Sequence, residues 1–351
     1  MRFIVYADVQ ATEGHERLFS NPAVPLQRKR VEDFYRTVAE IAKEEHIDGI
    51  LDLGDTTDDR SSIPVPTLDS LLGLLDEMPC PKNHNFKLIG NHEQFVKSTA
   101  IHAGRLFERH FEVIPDRQVI RFPSQGTGGP FTIIFCSYPA DEDELDAWLR
   151  AQKVAGPCLF LGHFQVHGCT MSSGPSLSGI KASSIRADLA LLGHVHKPQS
   201  ITDRIHYVGS PFQQDFGEAG EEKRIGIVDT DGMKITWITL DGFPEYRVLN
   251  AAEFFARDWT FSEDRLKVVL RTPEETTAFY AHPLSHRYEP VYNYVVAPES
   301  VGSTPAALTN NRDALMASYL KKRTPKSANI VLGNAEMLEF GQMLATTASG
   351  S

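Results

Sequence analysis

Cysteine is scarce and scattered in these 351 residues: Cys80, Cys136, Cys158 and Cys169 show no CxxC spacing. That excludes a disulfide scaffold and a thiolate zinc site, and reads as reduced thiols. Long apolar runs are missing too. No segment reaches the roughly 18–20 apolar residues of a membrane span, and no signal-peptide pattern stands before Arg2-Phe3-Ile4-Val5-Tyr6. No membrane association and a cytoplasmic location are therefore expected. Basic residues are outnumbered, 35 against 46 acidic ones, for a formal charge of −11. An overall basic footprint for nucleic acid is thus absent, although cation-binding carboxylates would account for part of the acidity. The local basic clusters, Arg28-Lys29-Arg30 and Lys321-Lys322-Arg323 with Lys326, read first as solvated faces. No internal repeat is present. Gly126-Thr127-Gly128-Gly129 is followed by neither a Lys-Ser/Thr pair nor a helix, which argues against a phosphate-cradling loop.

What remains is an ordinary globular composition, 41% hydrophobic and 23% charged, long enough for one large domain and a smaller one. Residues 2–7 read as a buried strand ending at Asp8. Helical spacing over 28–46 puts Val31, Phe34, Tyr35, Val38, Ile41 and Ala42 on one face. A second strand, 47–53, presents Gly54-Asp55. A helix over 68–78 is stopped by Pro79-Cys80-Pro81, and 86–89 leads into Gly90-Asn91-His92. Three strand-then-polar units alternating with two helices predict an α/β layered fold, with the polar residues on one edge of the sheet. Residues 119–122 and 131–135 flank the glycine-rich turn as a hairpin, and 141–152 read as a short acidic helix. Strands ending at Leu161 and Leu192 deliver His163 and His194. Strands near 205–208, 224–229 and 233–240 are expected to complete a second sheet.

After Asp241-Gly242-Phe243-Pro244 the pattern changes to short strand-like runs, 266–270 and 291–296, around a Glu-rich helical stretch. From about Glu299 the chain is rich in Ser, Thr, Pro and Asn, with one helical patch near 314–322 and an end whose composition predicts disorder. The expected domains are 1–243, 244–300 and a tail over 301–351.

Five short blocks carry the chemistry, in one order: Asp8-Val9-Gln10, Gly54-Asp55-Thr56-Thr57-Asp58, Gly90-Asn91-His92-Glu93, Gly162-His163 and Gly193-His194-Val195-His196. Each offers hard oxygen or imidazole ligands, mostly just after an apolar run. Such ligands, converging from several strand ends, are what a two-metal phosphoesterase needs to hold cations about 3.5–4 Å apart. Singly, an Asp at a strand end is equally a cap or turn former, and a His a satisfied core group. Five blocks in order, with a His-x-His last, outweigh that reading.

The blocks resemble the calcineurin-like metallophosphoesterase superfamily, whose pattern is DxH, GDxxD, GNH[DE], GH and GHxH. Gln10 stands where that family usually has His. A further stretch, His206-Tyr207-Val208-Gly209-Ser210-Pro211 followed by Phe216-Gly217-Glu218, resembles SbcD, the nuclease subunit of the SbcCD complex, and its phage-encoded relatives. The likeness runs from Met1 to about Asp241. It implies a β-sandwich of two mixed sheets flanked by helices, with a small α+β capping domain over 244–300. It also implies two divalent cations, DNA as substrate and an SbcC-like ATPase as partner, with a homodimer as a further expectation. By motif position, Asp55 would bridge the two cations. Asp8 and His196, with Gln10, would complete metal one; Asn91, His163 and His194 would complete metal two. His92 would face the scissile phosphate and stabilise charge or protonate the leaving oxygen. Asp58 would orient a ligand or His92, or else be a solvated loop acid.

At Gln10 an amide oxygen replaces an imidazole nitrogen, which moves the site toward Mn²⁺, with Mg²⁺ as the alternative, and away from Zn²⁺. Gln10 could instead hydrogen-bond a water on the metal. His15 could swing in as a replacement ligand, and His167 reads as a core or outer group. Lys197-Pro198 and Gly209-Ser210-Pro211 are expected to shape the cleft wall. The function expected is a two-metal phosphodiesterase that acts as a DNA exonuclease, with endonuclease action beside it. Two alternatives stand: a phosphatase or cyclic-nucleotide phosphodiesterase on the same centre, and a non-catalytic scaffold. Leu315, Met316, Tyr319 and Leu320 share one helical face and are the expected partner contact.

Overall fold

A computed structural model describes residues 1–96, 101–123, 129–172 and 174–293. Strand alternation sets its layers. In β1 (Arg2–Tyr6), Phe3 and Val5 enter one core while Ile4 and Tyr6 enter another. The chain continues through α1 (Leu26–Glu44), β2 (Gly49–Asp52), α2 (Val65–Asp76), β3 (Phe86–Leu88) and β4 (Glu112–Ile114). Strands β1 to β4 are parallel neighbours. The apolar stripe of α1, Val31, Phe34, Tyr35 and Val38, packs with Leu71, Leu74 and Leu75 of α2 on the Ile4–Tyr6–Ile50 face. Helix α2 begins at Val65, earlier than its spacing predicts, because Pro66 fits the first turn of a helix.

The second sheet uses β5 (Arg117–Phe122), β6 (Phe131–Cys136), β7 (Cys158–His163), β8 (Leu189–Gly193), β9 (Gln199–Ser200) and β10 (Ile205–Tyr207), with α3 (Glu142–Ala151) on its outer side. The expected hairpin is present as the antiparallel pair β5–β6, with Phe122 opposite Phe131. Between the sheets, Phe3, Val5, Leu51 and Leu88 meet Ile133, Phe135, Leu161 and Leu191. Burying each such side chain contributes about 1.5–3 kcal/mol relative to leaving it exposed. The protein is a four-layer α/β sandwich.

One expectation is corrected. β11 (Arg224–Asp229) and β12 (Lys234–Thr239) do not extend the second sheet; they join the first, antiparallel, with β11 against β1. Alternation alone does not say which sheet edge a strand joins. Here Gly226 lies so close to Val5 that a Cβ would approach it to 2.8 Å, so a glycine permits this edge. The basic run 28–30 is also not one solvated face. Arg28 and Lys29 pair with Glu32 and Asp33, but Arg30 is buried, donating to the Gln213 and Pro244 carbonyls under the Tyr246 ring.

Beyond Pro244 a third, all-parallel sheet forms: β13 (Tyr246–Asn250), α4 (Ala251–Phe255), β14 (Arg265–Leu270), α5 (Pro273–Ala281) and β15 (Glu289–Tyr292). Both helices open on a capping box, Asn250 with Glu253 and Thr272 with Glu275. Phe254 and Phe279 bury Leu266, Val268 and Leu270. Glu263 ties this unit to the sandwich by accepting the Phe19 and Ser20 amides at 2.6 and 2.7 Å. Residues 294–351, including the expected helical face at Leu315 to Leu320, lie outside the described residues. Among the described residues no helix is long and apolar enough to cross a membrane.

Candidate metal centre

The ends of β1, β2, β3, β7 and β8 meet at one edge of the sandwich, and the five sequence blocks are those ends. Residues 8–11 run beside 54–57, with the Asp8, Gln10 and Ala11 amides on the Gly54, Asp55 and Thr56 carbonyls. Among the described residues six non-glycine residues stand at positive φ, and four of them are Asp8, Gln10, Asp55 and His194. Left-handed backbone is unfavourable for such residues and concentrates where a site demands it. Gly54, at φ +99°, and Gly90 allow the close approach: a Cβ on Gly90 would lie 2.0 Å from Asp55 Oδ1.

The side chains converge. His163 Nε2 lies 3.2 Å from Asp55 Oδ2, 3.4 Å from Asn91 Oδ1 and 4.0 Å from Asp8 Oδ1. His194 Nδ1 lies 2.7 Å from Asn91 Oδ1. Ligand atoms of Asp55, His163 and His194 all fall within 4.8 Å of one another. On the other flank His196 Nε2 meets the Gln10 amide at 3.1 Å, and Asp8 accepts the His194 backbone N–H. All seven expected ligands therefore share one site, tightly for the Asp55, Asn91, His163 and His194 group.

Each histidine is oriented from behind. His163 Nδ1 lies 2.6 Å from the Leu53 carbonyl, His194 Nε2 3.2 Å from the Gln165 amide, and His196 Nδ1 2.8 Å from Glu218. The opposite nitrogen of each ring then faces the site, as a ligating imidazole requires. Rotating the Gln10 amide by 180° brings its oxygen in beside His196. Gln165 and Tyr138, whose ring lies 5.3 Å from that of His194, were not singled out by the sequence. Gln165 stands two residues after the Gly-His block, which was its only signal. Glu218 was visible in the FGE segment without a role.

Electrostatics tests the fit. Burial pushes the Asp8 carboxyl up to about 6, against the pull of His163 and His196. Burial would raise Asp55 as well, but His163 and then His92 outweigh it and hold it at about 2. Burial works against charge on His163, yet Asp55 and Asp8 lift it to about 9. Burial, followed by His163, pushes His194 down to about 3, leaving the neutral imidazole that a metal needs. Buried carboxylates held by a borrowed imidazolium proton are a donor set suited to cations, which displace that proton on binding.

The remaining expected residues fall around this group. His92 donates its backbone N–H to Asp55 Oδ1 at 2.8 Å, and its Nδ1 lies 2.5 Å from the Asp58 carbonyl and 3.4 Å from the Asp58 carboxylate. The Asp58 hydrogen bond, against burial, lifts the imidazole to about 9. Asp58 thus partners His92 rather than standing as a loose loop acid. His15 lines an adjoining cleft, and His167 is exposed on a turn rather than in the core. The Gly209-Ser210-Pro211 segment lies beneath His196, with the Ser210 amide on the His196 carbonyl.

A profile of the Calcineurin-like phosphoesterase family matches residues 1–198, more than half of the chain. The chain belongs to this family. That family is one of metal-dependent phosphoesterases that use two divalent cations, and the Asp55, His163 and His194 group is placed as such a site requires. The 078R protein of Invertebrate iridescent virus 3, named provisionally as a phosphoesterase, is 25% identical over 200 residues, 54% of this chain and 55% of that protein. The chain thus spans about half the length of this curated relative. A dimetal phosphatase from Danio rerio aligns over 69% of this chain and 99% of its own, at 14% identity and a TM-score of 0.41. Yfce, a phosphoesterase from E. coli, aligns over 69% and 100%, at 13% identity and a TM-score of 0.32.

Proposed function

We propose that this phosphoesterase is a two-metal phosphodiesterase that acts on DNA as an exonuclease, in the manner of SbcD and with an SbcC-like ATPase. The observation that carries this reading is a cleft of about 310 Å³ that opens from Gln10 and His196 and runs past Asp58, His15 and Gln27 to Tyr246 of the third sheet. A monoester needs no such run beside its phosphate, whereas a diester has a second arm to place. Mn²⁺ is the cation we favour, because two amide oxygens stand among the donors.

Cations bound between Asp8, Asp55, Asn91 and the three histidines would polarise the phosphoryl oxygens and acidify the attacking water. The chain's own part is positional. Asp55 stands against His163, and Asn91 aligns with His163 and His194; in this reading Asp55 would be the ligand shared by both cations. With Nδ1 of His92 engaged by Asp58, Nε2 is the ring nitrogen left to assist the departing oxygen.

The acidic character of the chain, −11 overall, with Glu16, Asp58 and Asp215 on the cleft wall, favours the second reading, a phosphatase or cyclic-nucleotide phosphodiesterase. Mn²⁺-dependent digestion of end-labelled linear duplex and single-stranded DNA, with His92→Ala as control, separates the two. Cleavage of a nitrophenyl phosphate ester with none of DNA would overturn the nuclease reading. The ATPase partner is tested by co-purification, which Leu315→Asp with Leu320→Asp should abolish.

A further inference from the structure

Behind the ligands lies a second buried polar cluster that the chemistry above does not use. Asp52, Lys87 and Glu93 are at most 1% exposed. Lys87 Nζ contacts Glu93 at 2.7 Å and Asp52 at 3.2 Å, and also the Thr56 hydroxyl. Glu93 uses both oxygens on backbone donors: Oε2 accepts the Asp55 and Gly90 amides at 3.2 and 3.0 Å, and Oε1 the Thr56 amide at 3.1 Å. Asp52 accepts the Gly54 amide at 2.9 Å and the Thr56 hydroxyl at 2.6 Å. Two carboxylates sharing one lysine thus hold four amides of the two loops that carry Asp55 and Asn91.

Stability alone does not explain such a cluster. Apolar residues of similar volume usually do as well as a buried ion pair, because both charges must be desolvated. What the carboxylate of Glu93 adds is geometry. The loops leave different strands, β2 and β3, and Asp55 stands in left-handed backbone after a positive-φ glycine. Strained backbone persists only where its surroundings over-determine it.

We propose that Glu93, supported by Lys87, is a positioning residue that fixes the 54–56 loop against the 90–91 loop and thereby sets the affinity of the site for divalent cations. The proposal rests on Asp55 and Asn91 being ligands. Glu93 touches neither cation nor substrate.

The test uses the full chain with Glu93→Gln, which keeps one acceptor oxygen but turns an NH₂ toward N–H donors. In metal-free protein, hydrogen exchange at the Asp55, Thr56 and Gly90 amides should speed by about tenfold or more, while Val5 and Phe160 stay protected. Mn²⁺ affinity by calorimetric titration should fall about 10–100-fold. Activity on bis-nitrophenyl phosphate should recover at saturating Mn²⁺, with kcat and KM within about twofold of wild type, so that only the activation curve moves. Unchanged amide exchange and unchanged Mn²⁺ affinity would overturn the proposal. The double variant Lys87→Met with Glu93→Gln leaves no unpaired buried ammonium, and it carries the test if the single variant fails to fold. It should show the same loss; wild-type affinity in the double variant would trace the defect to a stranded lysine and refute the staple. Wild-type protein that binds no Mn²⁺ would instead sink the metal reading on which the proposal stands.

Discussion

Replacing Gln10 isolates the weaker flank of the site. The residue is 9% exposed, and its amide stands 3.1 Å from His196 Nε2, which Glu218 holds from behind. Gln10→Ala removes one donor and little else. The Gln10 backbone stays at φ +49°, which is no harder for Ala than for Gln, and the Gln27 bond goes to the Gln10 carbonyl rather than to its side chain. The expected loss is about 10–100-fold in affinity for the cation beside His196 if the amide orients that cation's shell, or about 1.4–2.7 kcal/mol, and more if it ligates directly. Gln10→His is compatible with the backbone, since His tolerates left-handed φ better than most residues. It should strengthen the same site and widen its tolerance to Zn²⁺ and Co²⁺. The assay is the rate of bis-nitrophenyl phosphate hydrolysis against Mn²⁺, with melting temperature as a control on folding. Superimposable activation curves for wild type and both variants would show that Gln10 neither binds nor orients a cation.

Asp55→Ala should abolish binding of both cations together with hydrolysis; elemental analysis finding two cations per chain in that variant would refute the bridging role. His92→Ala should keep both cations while turnover falls about 10²–10⁴-fold, and metal content falling in parallel would make His92 a ligand instead. Leu191→Ala, at a fully buried position between the sheets, should cost about 2–5 kcal/mol by denaturant melt. Glu263 offers a pH signature away from the metal site. Burial would raise its pKa, but the Ser20 and Phe19 hydrogen bonds outweigh this and lower it. A lowered folded pKa means stability present above the unfolded value near 4.3 and lost as pH falls through the folded one. Glu263→Gln should therefore flatten the fall in melting temperature between about pH 5 and 3; equal slopes for the two proteins would refute the tether.

The ligand blocks were legible because each sits where a short buried strand stops, and that position is written in sequence as an apolar run followed by Gly and a polar residue. Asp8, Asp55 and His163 were placed at strand ends in this way. Helix α3 was found almost to the residue, since Asp141 caps it by accepting the Glu144 amide. Supports contributed from a distance were harder to read. Gln165, Glu218 and Lys87 act on residues 29, 22 and 6 positions away, respectively, through contacts that no local period encodes. The placement of β11 escaped for the same reason, because alternation reports which face is buried but not the neighbour. Arg30 looked like part of a charged run, and only the fold shows carbonyls closing over it.

Asp8, Asp55 and Asn91 leave the first sheet, whereas His163, His194 and His196 leave the second. Cations bound among them would act as a clasp between two slabs that are otherwise joined at that edge by the Leu53–His163 and Asp8–His194 hydrogen bonds and by the apolar seam of Phe3, Val5, Phe135 and Leu161. Ligand binding and slab alignment are then thermodynamically linked: saturating cation stiffens the seam by mass action, and, by reciprocity, any slip between the slabs weakens cation binding by the same free energy. Substitutions buried midway through the seam, far from any phosphate, should therefore be read first in the concentration of metal that half-activates the enzyme.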